Sequence, residues 1–314
     1  MSRWSTLLLD NVSLAEMPKL PVREILTHAV DLADQRPGPY QLYQRWEAQN
    51  WNAEDISFDE DVHHWHNVLP QQGRDALSEM LYSFVLGEYT AVDLLAPILT
   101  ASPDEHSSLY LGTQLVDEVR HSYVMFRLGR DLLGLPEDPR SILAAAWQNT
   151  TPDQHKVHDL EGELVKEIVA HPTDYARWLR GVAMFHLIQE GVLAVAGQRA
   201  IVTMLGEMSV MPGTKTAFTA FTRDESRHIT YGLHALRQGV LEGYSNEICE
   251  VVEKAAPLGM RAMFGYPDNQ GYDQLALRNL QRCLRNIGIE EKFIDHVLKL
   301  STAAIGPQIP AQVG

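Results

Sequence analysis

The chain has 314 residues, of which 45% are hydrophobic and 21% charged, and its net charge is −15. That length buries a sizeable core in one large domain or two ordinary ones, and the acidic balance argues against a basic groove for nucleic acid. Its two cysteines, Cys249 and Cys283, lie far apart without Cys-x-x-Cys spacing, which argues against a disulfide framework or a thiolate zinc site and suits a reducing cytoplasm. The opening "MSRWSTLLLDNVS" carries only three consecutive leucines, too few for a signal sequence, and no stretch approaches the roughly 20 apolar residues of a membrane span. A soluble, cytoplasmic protein is expected.

Strand signals are scarce and helical periodicity dominates. Residues 1–70 read as an irregular lead-in with short helices, broken by "RPGPY" at 36–40. Four long helices follow, at about 72–101, 104–133, 173–206 and 214–241. "SPDEH" separates the first two and "GLPEDPR" ends the second, one or two helices fill 139–171, "HPTD" starts the third, and "MPGTK" precedes the fourth. Shorter helices occupy about 245–302. A 30-residue helix is about 45 Å long, and four of them suggest an all-α four-helix bundle with additional peripheral helices. No stretch has the composition of a linker, so a single domain is expected, with its core at about 72–241.

The one internal echo is Asp-Glu-x-Arg-His, in "VDEVRHSYVMF" and again in "RDESRHITYGL". On a helix Glu118 and His121 share a face, as do Glu225 and His228. Both pairs lie on apolar stripes, with Leu111, Leu115 and Met125 in one and Phe218, Phe221 and Ile229 in the other, so both point into the bundle. The first long helix offers Glu88 on the stripe of Leu77, Leu81, Phe84, Val92 and Leu95. The third offers Glu190, the only acid in the apolar "VAMFHLIQEGVLAVAG". A buried, unpaired carboxylate costs several kcal/mol, and a cation compensates it.

One Glu from each of two helices and Glu-x-x-His from each of the other two is the ligand set of ferritin-like dimetal carboxylate proteins. The spacing also repeats, 30 residues from Glu88 to Glu118 and 35 from Glu190 to Glu225. Carboxylates and imidazoles suit iron and manganese, and four Glu balance two divalent ions. The expected metal ligands are therefore Glu88, Glu118, His121, Glu190, Glu225 and His228. Metal-bound imidazoles donate their second N–H to an acceptor; Asp224 is expected to serve His121, and Asp117 to serve His228. His186, one turn before Glu190, is a candidate for a hydrogen bond near the site or for a satisfied core histidine. "EGELVKE" at 161–167 reads as a solvated acidic face, and "HHWH" at 63–66 receives no function.

With those residues in place, roughly residues 40–240 resemble the ribonucleotide reductase small-subunit superfamily within the ferritin-like fold. The stretch "QNWNAEDISFDEDVHHWHNVLPQQGRDAL" is similar to the lead-in of that family, where a tryptophan joins an electron-transfer path to the metal through an aspartate and a histidine. The matching residues are Trp51, Asp224 and His121. The reductase bears its radical on a tyrosine one turn after the first motif's histidine, where this chain has Met125, and no tyrosine stands in "STAAIGPQIPAQVG". The better resemblance is to the ligand-binding oxidases related to that subunit, with manganese–iron or diiron sites. Some of those cross-link a tyrosine to a valine; the matching positions are Phe185 and Thr90, and phenylalanine has no phenol oxygen. Arylamine N-oxygenases carry an extra histidine where Phe221 stands. Acyl-carrier-protein desaturases and multicomponent monooxygenase hydroxylases share similar motifs.

The resemblance implies two metal ions, Fe/Fe or Mn/Fe, with dioxygen as co-substrate, an external electron donor and a homodimer. The expected activity is oxidation of a bound organic substrate, in a pocket lined by Phe84, Thr90, Met125, Phe185, Phe218 and Phe221. The alternatives are a radical-generating small subunit of a reductase-type complex and a non-enzymatic iron store.

Overall fold

The computed structural model describes residues 12–21, 32–263 and 271–305. The rest of the lead-in and the tail beyond 305 lie outside the described residues. Within them every regular element is helical. Short helices α1 (Pro39–Ala48) and α2 (Asp59–Asn67) precede α3 (Gln71–Thr100) and α4 (Glu105–Leu133). Then come α5 (Pro139–Gln148), α6 (Pro152–Ala170), α7 (Tyr175–Met208) and α8 (Pro212–Leu241). The C-terminal helices are α9 (Ser245–Met263), α10 (Tyr272–Ile287) and α11 (Glu291–Ile305). The four long helices form the expected ferritin-like bundle, each within about two residues of its expected bounds.

Local chemistry sets those bounds. Asp104 caps α4, its carboxylate accepting from the Ser107 N–H at 2.9 Å, and Gly134 closes the helix in the left-handed region at φ 66°. The start of α8 is held by the lead-in. Asp61, fully buried on α2, accepts from the backbone N–H groups of Gly213 and Thr214 at 2.9 and 2.5 Å, a carboxylate meeting the positive end of a helix. His64 Nδ1 accepts from the Met211 N–H at 2.9 Å, which gives "HHWH" a capping role.

Helix α7 departs from expectation. Its middle, Ala183–Ala194, is wound as a π-helix between α-helical arms. That geometry is rare and occurs most often at functional sites; here it carries His186 and Glu190. Helices α3 and α7 are long and apolar enough to cross a membrane by length and composition, but 44% and 72% of their most apolar windows are buried inside the protein.

The core is split into two apolar clusters. One holds Leu77–Leu86 residues of α3, Val124–Leu132 residues of α4 and Ala217–Phe221 residues of α8. The other holds Ala91–Ile98 of α3, Tyr110 and Leu111 of α4, and Ile229–Leu236 of α8. Glu88, Glu118, His121, Glu225 and His228 fall between the clusters on every one of these helices, so a polar layer crosses the bundle. Close packing flanks it: a Cβ on Gly232 would stand 2.1 Å from the Cβ of His186. Gly232→Ala is therefore expected to cost about 2 kcal/mol or more by overpacking, read as a lowered denaturant midpoint.

Candidate metal centre

All six expected ligands are buried and converge. Glu88, Glu118, His121 and Glu225 form one group, and Glu118, Glu190, Glu225 and His228 a second; the donor atoms of each lie within 4.8 Å of one another. Glu118 and Glu225 belong to both. His121 Nδ1 stands 3.3 Å from Glu88, 3.6 Å from Glu118 and 3.6 Å from Glu225. His228 Nδ1 stands 3.1 Å from Glu118, 3.3 Å from Glu225 and 3.5 Å from Glu190.

Each imidazole thus aims Nδ1 at carboxylates and Nε2 outward. Glu118 Oε1, His121 Nδ1 and Glu190 Oε2 are buried and make no hydrogen bond. Lone pairs facing one another in a dry core need a cation between them, and oxygen plus imidazole donors fit iron or manganese. The titration behaviour agrees. Burial, with repulsion from Glu225 and Glu118, pushes Glu88 up to about 7 against the pull of His121. Burial and Glu225 raise Glu190 well above the usual carboxylate range. Burial also acts on Glu118, but His121 and His228 outweigh it and hold the group at about 2.

Behind the imidazoles stand the two repeated aspartates. His121 Nε2 lies 3.2 Å from Asp224 and His228 Nε2 lies 3.2 Å from Asp117, the crossed pairing the spacing suggests. A carboxylate at Nε2 keeps the proton there and leaves the Nδ1 lone pair facing inward. Trp51 Nε1 donates to Asp224 at 2.7 Å. The sequence reading missed four participants. Trp46 Nε1 donates to Asp117 at 3.0 Å. Arg227, fully buried, donates to Asp117 at 2.9 Å and to Asp224 at 2.6 Å, while Arg120 donates to Asp117 at 2.8 Å. The Arg present in both copies of the repeated phrase was the available signal for these two arginines. Gln114, also buried, donates to Glu190 at 2.9 Å and meets His186 Nε2 at 3.1 Å. His186 therefore touches the site through Gln114, and burial drives its pKa down to about 3.

A family model described as ribonucleotide reductase, small chain, matches residues 34–258. The chain belongs to that family. Among solved structures, the protein is similar to an R2-like ligand-binding oxidase from Sulfolobus acidocaldarius, with TM-score 0.66 and 20% identity over 86% of this chain and 94% of that one. It is also similar to an R2-like ligand-binding oxidase with an aerobically reconstituted Mn/Fe cofactor, with TM-score 0.65 and 19% identity over 85% of this chain and 91% of that one. At such identity the likeness establishes the fold.

A narrow cavity of about 100 Å³ adjoins the carboxylates, and Glu88, Glu118, Glu190 and Glu225 are part of its lining. Of the residues expected to form a pocket, Phe84 and Phe185 line it. Thr90, Met125, Phe218 and Phe221 do not. Thr90 turns its hydroxyl back to the Leu86 carbonyl at 2.7 Å. Met125, Phe218 and Phe221 are fully buried core, with Phe221 packed 4.2 Å from the His121 ring. Other parts of the wall come from α6, which supplies Gln154, Val157 and His158, from Gln189 and Leu193 of α7, from small residues of α3 and α7, and from Ala262 and Met263 of α9. Glu161 is buried behind His158 and bonded to its Nδ1 at 2.9 Å. That corrects the reading of 161–167 as a solvated face: Glu163 is exposed, Glu161 is not.

The buried acids set a pH dependence. Glu88 titrates near 7 when folded against an ordinary 4.5. Between those values the folded state holds a proton that the unfolded chain has lost, so metal-free stability falls as pH rises through that window. His121 and His228 act in the same direction. Burial lowers both, but their carboxylate partners overcome it and raise them well above 6.5, so their stabilising charge is lost as pH rises through the folded pKa. Glu190→Gln is therefore expected to stabilise the metal-free protein at neutral pH by about 1–3 kcal/mol, measured by denaturation in chelator, while weakening metal binding.

Proposed function

We propose that the protein is a dimetal oxidase or oxygenase that activates dioxygen to oxidise a bound, largely apolar organic substrate. The observation that carries this reading is the pair of four-residue donor groups sharing Glu118 and Glu225 beside a mainly apolar cavity. The similar structures, both described as R2-like ligand-binding oxidases and one of them with a Mn/Fe cofactor, support it. Glu88, Glu118, His121 and Glu225 would hold one ion and Glu118, Glu190, Glu225 and His228 the other, iron–iron or manganese–iron. Bound there, the ions would supply the electron-transfer steps of dioxygen reduction.

The chain's own part is positional. Asp117 and Asp224 fix the imidazole tautomers, Gln114 orients Glu190, and Phe84, Phe185 and the aliphatic wall exclude water and orient the substrate. Gln154, His158 and Gln189 present hydrogen-bonding groups to whatever occupies the cavity. An external one-electron donor completes the cycle. A reductase-type radical subunit has less support, because buried Met125 stands where the phenol is required.

The reading includes a reducing cytoplasm, in which the thiols of Cys249 and Cys283 stay free, and a homodimer. Leu109, Val116, Val119 and Tyr123 are exposed at 66%, 48%, 54% and 45% and form one stripe along α4. Val119→Asp is expected to shift the protein from dimer to monomer in light scattering; an unchanged dimer would place the interface elsewhere.

The deciding experiment loads the protein aerobically with iron and manganese, then combines elemental analysis, anomalous scattering at both metal edges and dioxygen uptake. Two adjacent metals and uptake above that of free metal are expected. A protein that binds no metal, or binds it and takes up no dioxygen, refutes the proposal.

A further inference from the structure

Helix α6 supplies no candidate metal ligand, yet it presents a polar face to the cavity beside the carboxylates. Gln154 and His158 line the cavity with Val157, and Glu161 follows His158 by one turn. Ser83, Gln154, His158 and Gln189 are half-buried, whereas Glu88, Glu118, Glu190 and Glu225 are buried. The cavity therefore has an outer end of hydroxyl, amide and imidazole groups and an inner end of carboxylates. Phe84 and Phe185 add apolar wall.

The outer groups are held in place. Gln154 donates to Ser83 Oγ at 3.0 Å and accepts from the Thr151 N–H at 2.7 Å. His158 Nδ1 lies 2.9 Å from Glu161 Oε2, and Glu161 is fully buried. A carboxylate behind an imidazole keeps a proton on the nitrogen it faces. That leaves Nε2 as the free nitrogen of a cavity-lining residue, with no hydrogen-bond partner among the described residues. Nε2 accepts when the ring is neutral and donates when it is protonated. A hydroxyl answers both states, while a carboxylate only accepts and an ammonium only donates.

Charge narrows the choice further. Among the described residues that line the cavity, none is Lys or Arg. A positive charge on His158 is already matched by Glu161, and two divalent ions would match the four inner glutamates. A charged head group would leave water for a site with no counter-charge to spare.

We infer that His158, held by Glu161, anchors the hydroxyl of a small uncharged alcohol whose apolar body extends toward the carboxylate cluster. The inference rests on the dimetal oxidase reading above and deepens it by naming the substrate class. The hydroxyl exchanges a hydrogen bond with Nε2, and a cavity of about 100 Å³ suits a body of a few carbons.

The test uses full-length protein loaded with divalent manganese under nitrogen, with n-pentanol, pentanoate and pentylamine as probes. Proton relaxation of each probe is titrated. One measurement then gives the affinity and, from paramagnetic broadening, the end of the probe nearer the ions. In the wild type, pentanol is expected to bind about fivefold or more tighter than either charged probe. Its methyl end should be broadened more than its carbinol end. His158→Leu is expected to weaken pentanol about fivefold, and His158→Gln, which keeps a donor and an acceptor, to restore most of the loss. Because His158→Leu strands Glu161 in the core, the double variant with Glu161→Leu is measured beside it and should bind pentanol as weakly, with manganese content unchanged. The inference is overturned if pentanoate or pentylamine binds tightest, if no probe binds the manganese-loaded protein, or if the carbinol end is the more broadened. Leucine variants that bind pentanol as tightly as the wild type overturn it too. A wild-type protein that binds no manganese would instead sink the two-metal reading and this anchor with it.

Discussion

Glu118→Ala is expected to empty both metal positions at once and to bring dioxygen uptake to the background of free metal. Glu118 belongs to both donor groups, with one oxygen 3.1 Å from His228 Nδ1 and the other 3.6 Å from His121 Nδ1. Loss of a partner one step removed from a metal already costs about 10–100-fold in affinity, so loss of a carboxylate common to two ions should cost at least the upper figure at each. Glu88 and Glu190 each belong to one group. Glu88→Ala and Glu190→Ala should therefore strip one position more strongly than the other, and anomalous maps at the two metal edges would show which. Circular dichroism of the metal-free variants should remain native, because the bundle is held by the two apolar clusters on either side of the polar layer. A Glu118→Ala protein that still carries two metals would show that the shared carboxylate is no bridge, and the assignment of the site would go with it.

The order of those carboxylates was readable from the chain because two periodicities coincide. Helical spacing puts Glu118 with His121 and Glu225 with His228 on one face each, and apolar neighbours at the same spacing turn those faces inward. The bounds of the long helices were readable for a similar reason, since Asp104 and Gly134 act locally on the turns they close. What escaped was decided at long range. Trp46 meets Asp117 across 71 positions and Gln114 meets Glu190 across 76; a lone indole or amide carries no periodic mark. The π-helical stretch escaped because its residues read as ordinary helix, and the close approach of its His186 to Gly232 joins positions far apart in the chain. Glu161 was misread because its neighbours Glu163 and Glu167 are acidic, although only Glu161 faces inward toward His158. The phenylalanines were assigned to a pocket by their apolar character alone, and that property cannot distinguish Phe84, which lines the cavity, from Phe218, which packs edge-on against it at 5.0 Å.

Arg227→Ala should be the most destabilising single substitution in the charged layer, lowering unfolding free energy by about 3–5 kcal/mol at neutral pH. The guanidinium is fully buried and bonds Asp117 and Asp224 at 2.9 and 2.6 Å; removing it leaves two carboxylates in the core facing each other. Arg120 remains 2.8 Å from Asp117 but 3.9 Å from Asp224, so Asp224 loses most. The pH dependence separates this cause from simple loss of volume. Burial raises Asp224, but the charge of Arg227, helped by His121, overcomes it and holds the group well below its ordinary 3.8. A depressed carboxylate contributes stability that is present above the unfolded pKa and is lost as pH falls through the folded one. The wild-type protein has that contribution at neutral pH and the variant does not, so the gap between their urea midpoints should narrow on acidification below about pH 4. Arg227→Met keeps the bulk of the stem without the charge and should be nearly as unstable. Adding Asp117→Asn and Asp224→Asn to it removes the uncompensated charges and should recover most of the loss, because the penalty lies in the stranded carboxylates rather than in the missing arginine. A triple variant no more stable than Arg227→Met would place the energy in packing instead. The repeated aspartates would then be positioned by the helices alone.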